Sequence, residues 1–390
     1  MIVGRQYARR LSEIQPFRVM KLMARANELQ ALGHPVVHME VGEPDFPTPS
    51  AIMEGARVAL DEGRTKYTPA EGIGQLREKL ATYYQTQYGL DVPTSRIFIT
   101  SGGSGALLLA TALTLNAGEG LLMTDPGYPC SRHFLKSFGA DGHLVPVSAG
   151  DGYQLSPELV ERYWQETTRG VLLASPANPT GAVMNPLTLA QIIELVEVKK
   201  GHVIVDEIYH GLYYADQRLP SALSMSDQVI VVNSFSKYFG MTGWRLGWMV
   251  VPENAISLVE KLAQNLFICP SSVAQYAALN AFSVEARMEM EGNREEFRER
   301  RDFMLGELRE LGFGVPIVPE GAFYIYAKIP PGLEESEKFC ARLLEHHNVA
   351  ITPGTDFGFN KADEHVRFSY AQNLQVLSSG IENLKSGLMR

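Results

Sequence analysis

Val171-Leu172-Leu173-Ala174, the amphipathic stretch Leu187–Lys199 and then His202-Val203-Ile204-Val205 decide the fold. The two short runs are apolar almost throughout instead of alternating, as expected of strands covered on both faces. A helix-length segment between two such strands predicts a parallel pair joined by a crossover. Working outward, Arg96–Thr100 (RIFIT), Gly120–Thr124 (GLLMT) and Gln228–Val232 (QVIVV) read as further buried strands, with Ala106–Leu115 and Pro157–Thr167 as further helices. The pattern predicts an α/β fold built on a doubly wound, mainly parallel sheet.

After Pro252 the pattern changes to long charged helices, Ala286–Leu311 the clearest, followed by the strands Gly321–Lys328 (GAFYIYAK) and Val366–Tyr370 (VRFSY). A smaller α+β domain is expected there, completed by the N-terminal segment. The expected division is residues 1–47 as an N-terminal arm and part of the small domain, 48–285 as the large domain and 286–390 as the small C-terminal domain. A chain of 390 residues is too long for one compact core, which agrees with such a division.

With 35 Lys+Arg against 44 Asp+Glu, the net charge of −9 argues against a nucleic-acid partner, which would need a basic face. The three cysteines, Cys130, Cys269 and Cys340, are far apart and form no CxxC pair, so neither a disulfide framework nor a thiolate metal site is expected. The start, Met1 to Phe17, carries Arg5, Arg9, Arg10 and Glu13 and does not read as a signal peptide. The stretch around Ala106–Leu115 is far shorter than the ~20 apolar residues that span a bilayer. A cytoplasmic protein with no membrane partner is expected.

In open α/β sheets, ligands sit beyond the carboxyl ends of the strands, and here the polar motifs collect at those ends. After RIFIT comes Ser101-Gly102-Gly103-Ser104-Gly105-Ala106, opening a helix whose free N–H groups suit an anion. The third glycine of GxGxxG is missing and GxxxxGK is absent, which weakens nucleotide readings. After VLLA, Ser175-Pro176-Ala177-Asn178-Pro179-Thr180-Gly181 forms a stiff loop presenting one amide. After HVIV, Asp206-Glu207-Ile208-Tyr209 places a carboxylate at a buried strand end, where it needs a cation, donors or a helix to cap.

The most specific stretch follows QVIVV: Asn233-Ser234-Phe235-Ser236-Lys237-Tyr238-Phe239-Gly240-Met241-Thr242-Gly243-Trp244-Arg245-Leu246-Gly247. A lysine among apolar and aromatic neighbours is partly desolvated, which lowers its pKa and suits it to Schiff-base chemistry. Two hydroxyls and an arginine beside it are the donor set of a phosphate site.

Together these residues resemble the class I/II aminotransferases of the fold-type I pyridoxal-phosphate enzymes, over about Gly42 to Ser369. The S-x-S-K-x(7)-R core, joined to N-P-T-G and D-x-x-Y in the same order, carries the resemblance. It implies a large domain that binds pyridoxal 5′-phosphate, with Lys237 as the Schiff-base lysine and acid/base group. Asp206 is implied as the pyridinium partner, and Asn178 and Tyr209 as donors to the phenolic oxygen. Ser234, Arg245 and the backbone of Gly103 and Ser104 are implied as a phosphate cup, with Ser236 as an additional donor. Tyr128 falls where the family stacks an aromatic ring on the cofactor. Tyr67 resembles a tyrosine that reaches the neighbouring subunit's phosphate, which implies a homodimer with shared active sites. Gly42, Phe323 and Arg367 match substrate-binding positions, Arg367 clamping the α-carboxylate in bidentate fashion.

The implied activity is transfer of the amino group of a small α-amino acid to a 2-oxo acid, 2-oxoglutarate or pyruvate. A β-lyase, decarboxylase or related synthase on the same fold is the alternative, and a non-catalytic effector-binding regulator a remote one. Gly102–Ala106 also approaches a hydrolase elbow at Ser104, but ends in Ala106 where G-x-S-x-G has glycine. No metal is expected: His346-His347 diverge on a helix, and His34 and His38 flank an extended segment. The run Glu291–Arg301 reads as a solvated helix face.

Overall fold

The computed structural model describes residues 7–216 and 218–389; Arg5, used in reading the N-terminus, lies outside them. Twelve strands occur among the described residues: β1 (Val37–His38), β2 (Ile97–Thr100), β3 (Gly120–Asp125), β4 (Asp141–Pro146), β5 (Thr168–Ala174), β6 (His202–Asp206), β7 (Ile230–Ser234), β8 (Gly247–Val250), β9 (Tyr324–Lys328), β10 (Val349–Ala350), β11 (Thr352–Pro353) and β12 (His365–Ser369).

Seven of them form one sheet in the order β2-β8-β7-β6-β5-β3-β4. The pairs β3–β4, β3–β5, β5–β6 and β6–β7 are parallel, and β8 runs antiparallel to both β2 and β7. The fold is the expected α/β sheet, mainly parallel. The antiparallel strand β8 has a simple cause. Residues 235–246 contain no helix to carry the chain back across the sheet, so it must return in the opposite direction.

Both faces of this sheet are covered. Along β6, Val203 and Val205 belong to one apolar cluster and Ile204 to the other, and all three are buried. That is why these strands read as unbroken apolar runs, each buried Val or Ile contributing roughly 1.5–3 kcal/mol. The sequence reading missed two strands of this sheet, and the two-residue strands β1, β10 and β11 elsewhere. β4 is an edge strand of mixed polarity with only Val145 buried, and β8 is short. The helix expected to reach Thr167 ends at Tyr163, beyond which Trp164 is extended.

A second, three-stranded antiparallel sheet has the order β11-β12-β9, and β1 pairs in parallel with β10. The helix Val284–Glu310 runs alongside. The expectation of a fully solvated face on it is corrected at Arg300. That side chain is 1% exposed, bonded to Asp45 (2.7 Å), Glu296 (2.6 Å) and the Ala371 carbonyl (2.9 Å), because it tucks under the N-terminal loop.

Register places the polar motifs side by side. Ala174 is the partner of Asp206 and Asp206 of Val232, so the loops after β5, β6 and β7 leave the same edge. Gly247 is the partner of both Thr100 and Ser234, which sets the ends of β2 and β7 on either side of it.

Candidate active site

The helix Gly102–Thr114 begins one residue beyond β2. Gly102 has φ +72°, which opens this turn, and a Cβ there would sit 2.8 Å from the Arg245 guanidinium. A Cβ on Gly247 would come within 2.7 Å of the Gly102 backbone and 2.9 Å of the Gly103 nitrogen. Two helix-terminal glycines, Arg245 and the Ser234 side of β7 therefore form one cradle that only bare backbone permits. Ser234 and Ser236 are buried, their hydroxyls 3.0 Å apart, and Ser234 also accepts the Ser236 N–H at 3.1 Å. Free N–H groups at a helix start, an arginine and two hydroxyls suit a phosphate. Ser104 lies in the first turn of this helix, and no side-chain hydrogen bond joins it to a base among the described residues.

Asp206 closes the opposite side. It is buried, its Oδ1 accepting the Ile208 N–H at 3.1 Å. Burial pushes its carboxyl up to about 7, opposed by that bond and by the Lys237 charge. A carboxylate held this way lacks a close cation, and a protonated pyridine nitrogen would supply one. Tyr128, at the N-cap of the helix Pro129–Ser137, lines a narrow cleft together with Ala174 and Asp206. An aromatic side chain beside a buried carboxylate suits a flat ring with a basic nitrogen. Cradle, slot and carboxylate fit pyridoxal phosphate.

Lys237 lies between these groups. Its Nζ donates to the Gly42 carbonyl at 2.7 Å and faces the rings of Tyr209 (5.7 Å) and Phe323 (5.6 Å). Burial first, then the Arg367 charge, lower its pKa to about 8. Tyr209, buried, shares a 2.9 Å hydrogen bond with the Tyr324 hydroxyl. Phe323 is fully buried and stacks on Phe297 at 5.3 Å.

Arg367, on β12, is 2% exposed. Its Nη1 donates to the Asn178 side-chain oxygen at 2.9 Å, and its Nη2 to the Glu40 carbonyl and, at 3.4 Å, to Thr352. The guanidinium lies over the rings of Tyr324 (4.3 Å) and Phe357 (4.7 Å), while its Nε has no hydrogen-bond partner among the described residues. A fixed buried cation with an unused donor is poised for an added carboxylate.

Every residue singled out from the sequence gathers here except Tyr67. That side chain is 82% exposed, on a loop held by Gln275, which accepts the Ile73 N–H (2.8 Å) and donates to Thr68 (3.0 Å). Two participants were missed. Tyr324 packs so closely that a Cβ on Gly42 would collide with its hydroxyl. Asp125, before Tyr128, is buried and accepts the N–H groups of Phe359 (3.0 Å) and Asn360 (3.2 Å), joining the two sheets beside the slot. The alternation of Tyr324 and Tyr326 in GAFYIY was a usable signal for the first. Nothing local marks the second, whose donors lie over 230 residues away.

A family model described as aminotransferase class I and II matches residues 34–382. The chain is 37% identical to the valine–pyruvate aminotransferase of Mycobacterium tuberculosis, over 92% of each chain. A crystal structure of an aminotransferase from the same organism superposes with a TM-score of 0.95 at 36% identity, over 99% of each chain. Aspartate aminotransferase from Thermus thermophilus, solved with maleate, gives 0.93 at 32%, over 98% of this chain and 100% of that one. No helix among the described residues is long and apolar enough to cross a membrane.

Proposed function

Because the chain belongs to the class I and II aminotransferase family, whose members use pyridoxal phosphate to move amino groups between amino acids and 2-oxo acids, we propose that it acts on a small, neutral α-amino acid with Lys237 as its proton-transferring group. The acceptor is pyruvate or 2-oxoglutarate. One observation carries the reading. The space around the Lys237 amine is walled by Tyr209, Phe323 and Tyr324 and, among the described residues, contains a single fully buried arginine, Arg367. One guanidinium binds one carboxylate, and aromatic walls accept an apolar side chain. The valine–pyruvate relative supports the same substrate class.

Pyridoxal phosphate supplies an aldehyde and an electron-withdrawing ring. Asp206 would hold the ring nitrogen protonated, Asn178 and Tyr209 would donate to its phenolic oxygen, and Tyr128 would cover its face. Ser234, Ser236, Arg245 and the N–H groups of Gly103 and Ser104 would take the phosphate. Lys237 would carry the cofactor until the substrate amine replaces it. With a pKa near 8 the freed amine is a usable base close to neutral pH, and would move the proton from the substrate Cα to the cofactor carbon that carried the aldehyde. Arg367 fixes the α-carboxylate so that the Cα–H bond faces that amine. Gly42 presents bare backbone to the substrate, and the aromatic walls keep water out. In a homodimer the exposed Tyr67 reaches the partner's phosphate. The protein works in the cytoplasm.

A dicarboxylic donor is the second reading, favoured by Arg132. It borders the same cleft as Tyr128 and Asp206, with its guanidinium on the Phe359 ring and the Asp356 carbonyl and no ion-paired carboxylate among the described residues. A half-reaction screen decides: holoenzyme is mixed with single amino acids and the cofactor absorbance followed. Valine and alanine are expected to react fastest. Aspartate outpacing them by tenfold or more establishes the second reading, and no response to any amino acid refutes both.

A further inference from the structure

A second cavity lies outside the active site. It encloses about 610 Å³ between the helix Gly74–Tyr88, residues 210–216 and 218–219, and the first turns of the helix Val284–Glu310. That volume is within the usual range for a small-molecule site.

Its inner wall is aromatic. Tyr83 meets Tyr88 (ring centroids 5.9 Å), Phe239 (6.0 Å) and Phe282 (5.9 Å), a continuous surface of ring faces and edges. Its rim is cationic. Lys79, Arg218, Arg287 and Arg294 border it, against two carboxylates, Asp216 and Glu291. Glu291 is already engaged by Arg294 at 2.9 Å and by the Tyr238 hydroxyl at 2.6 Å. Lys79, Arg218 and Arg287 have no ion-paired carboxylate among the described residues, and Arg218 has only a 3.3 Å bond to the Gln87 carbonyl. Three cations without an ion-paired carboxylate, gathered around one aromatic-walled hollow, suit an anion that carries an apolar ring.

We propose that this cavity binds a small aromatic carboxylate, its ring against Tyr83, Phe239 and Phe282 and its carboxylate between Arg218 and Arg287. Ring stacking and bidentate Arg–carboxylate pairing both favour that chemistry. Nothing in this inference depends on the transamination reading, because none of these side chains belongs to the active site.

The test is calorimetric titration of the holoenzyme with 2-naphthoate, alongside neutral 2-naphthol. One binding event per chain is expected, at least tenfold weaker for 2-naphthol. It is expected to weaken at least tenfold in the double variant Arg218→Ala/Arg287→Ala, whose transamination rate stays within twofold of the parent. Both arginines are exposed, so the variant keeps its fold; matching thermal melts check this. Absence of binding to the parent overturns the proposal. So does binding that the double variant retains, or that disappears in Arg367→Lys and thereby locates the ligand in the active site.

Discussion

The Lys237 ammonium donates to the carbonyl of Gly42 at 2.7 Å, across 195 residues of sequence. The N-terminal loop therefore rests directly on the amine proposed as the proton-transferring group. Tyr324, against which Gly42 packs, also bonds Tyr209, so lysine, loop and phenols form one connected wall.

The first prediction concerns the pH at which this amine becomes reactive. Its folded pKa is lowered by burial and by Arg367 to about 8, so the free base appears about two units below where an exposed lysine would supply it. The rate at which apoenzyme captures pyridoxal phosphate, read by absorbance and by borohydride fixation on Lys237, is expected to rise with pH through about 8. A rise centred near 10.5 contradicts the assignment.

Asp206→Asn keeps the size of the side chain and removes its charge. A charge-assisted bond contributes about 1.5–3 kcal/mol, so cofactor affinity is expected to fall roughly 10- to 150-fold. Equilibrium dialysis measures it. Unchanged affinity together with an unchanged rate removes Asp206 from the site.

Arg367→Ala deletes the substrate cation and strands the Asn178 oxygen and the Glu40 carbonyl. Losing one member of a buried charge pair costs about 2–5 kcal/mol, so kcat/KM for the amino acid is expected to fall by roughly 30-fold or more. Cofactor binding, measured by absorbance, stays near the parent value. Arg367→Lys recovers only part, because a lysine cannot make two parallel bonds.

These residues differ in how far the chain alone disclosed them. Asp206, Asn178 and Lys237 each follow a strand buried on both faces, and such strands announce themselves by unbroken apolar runs. Their clustering followed from strand order, which parallel crossovers constrain tightly. Arg367 was visible only through the resemblance, since an arginine in a five-residue strand carries no sign of 2% exposure. Tyr324 and Asp125 escaped because their partners, Gly42 and the Phe359–Asn360 backbone, are remote in sequence. The aromatic cavity escaped for the same reason, being assembled from four separate segments.

Glu207 gives a stability prediction. Burial raises its carboxyl to about 8, and His210, 3.6 Å away, is depressed to about 3 by burial, so both are neutral near pH 7 and the contact is not an ion pair. The folded state holds a proton that the unfolded chain releases at its ordinary lower pKa. This stabilisation is complete below the unfolded pKa and lost as pH rises through about 8. Glu207→Gln cannot lose it. Between pH 5.5 and 8.5 the variant's melting temperature is expected to fall less than the parent's, by on the order of 2 °C. Parallel curves count against the assignment.

Tyr67 tests the shared site. Lys237→Ala and Tyr67→Phe homodimers are both expected to be impaired, the first nearly inactive. Mixed dimers contain one site with both defects and one with neither. Equimolar co-refolding yields mixed dimers in about half of the population, so activity is expected to rise by roughly a quarter of the parent's above the variants' own residual rates. No recovery, with mixed dimers verified by mass spectrometry, means that Tyr67 acts within its own chain.

The Arg367 guanidinium is anchored by Asn178, Glu40 and Thr352, whereas the cradle and slot draw on residues from Gly102 to Gly247. Pigment and turnover would thus draw on largely different stretches, with Asn178 shared between them. Inactivating lesions fall into two phenotypes: colourless protein when the damage lies along the central sheet's edge, and yellow protein that ignores amino acids when it lies near either terminus.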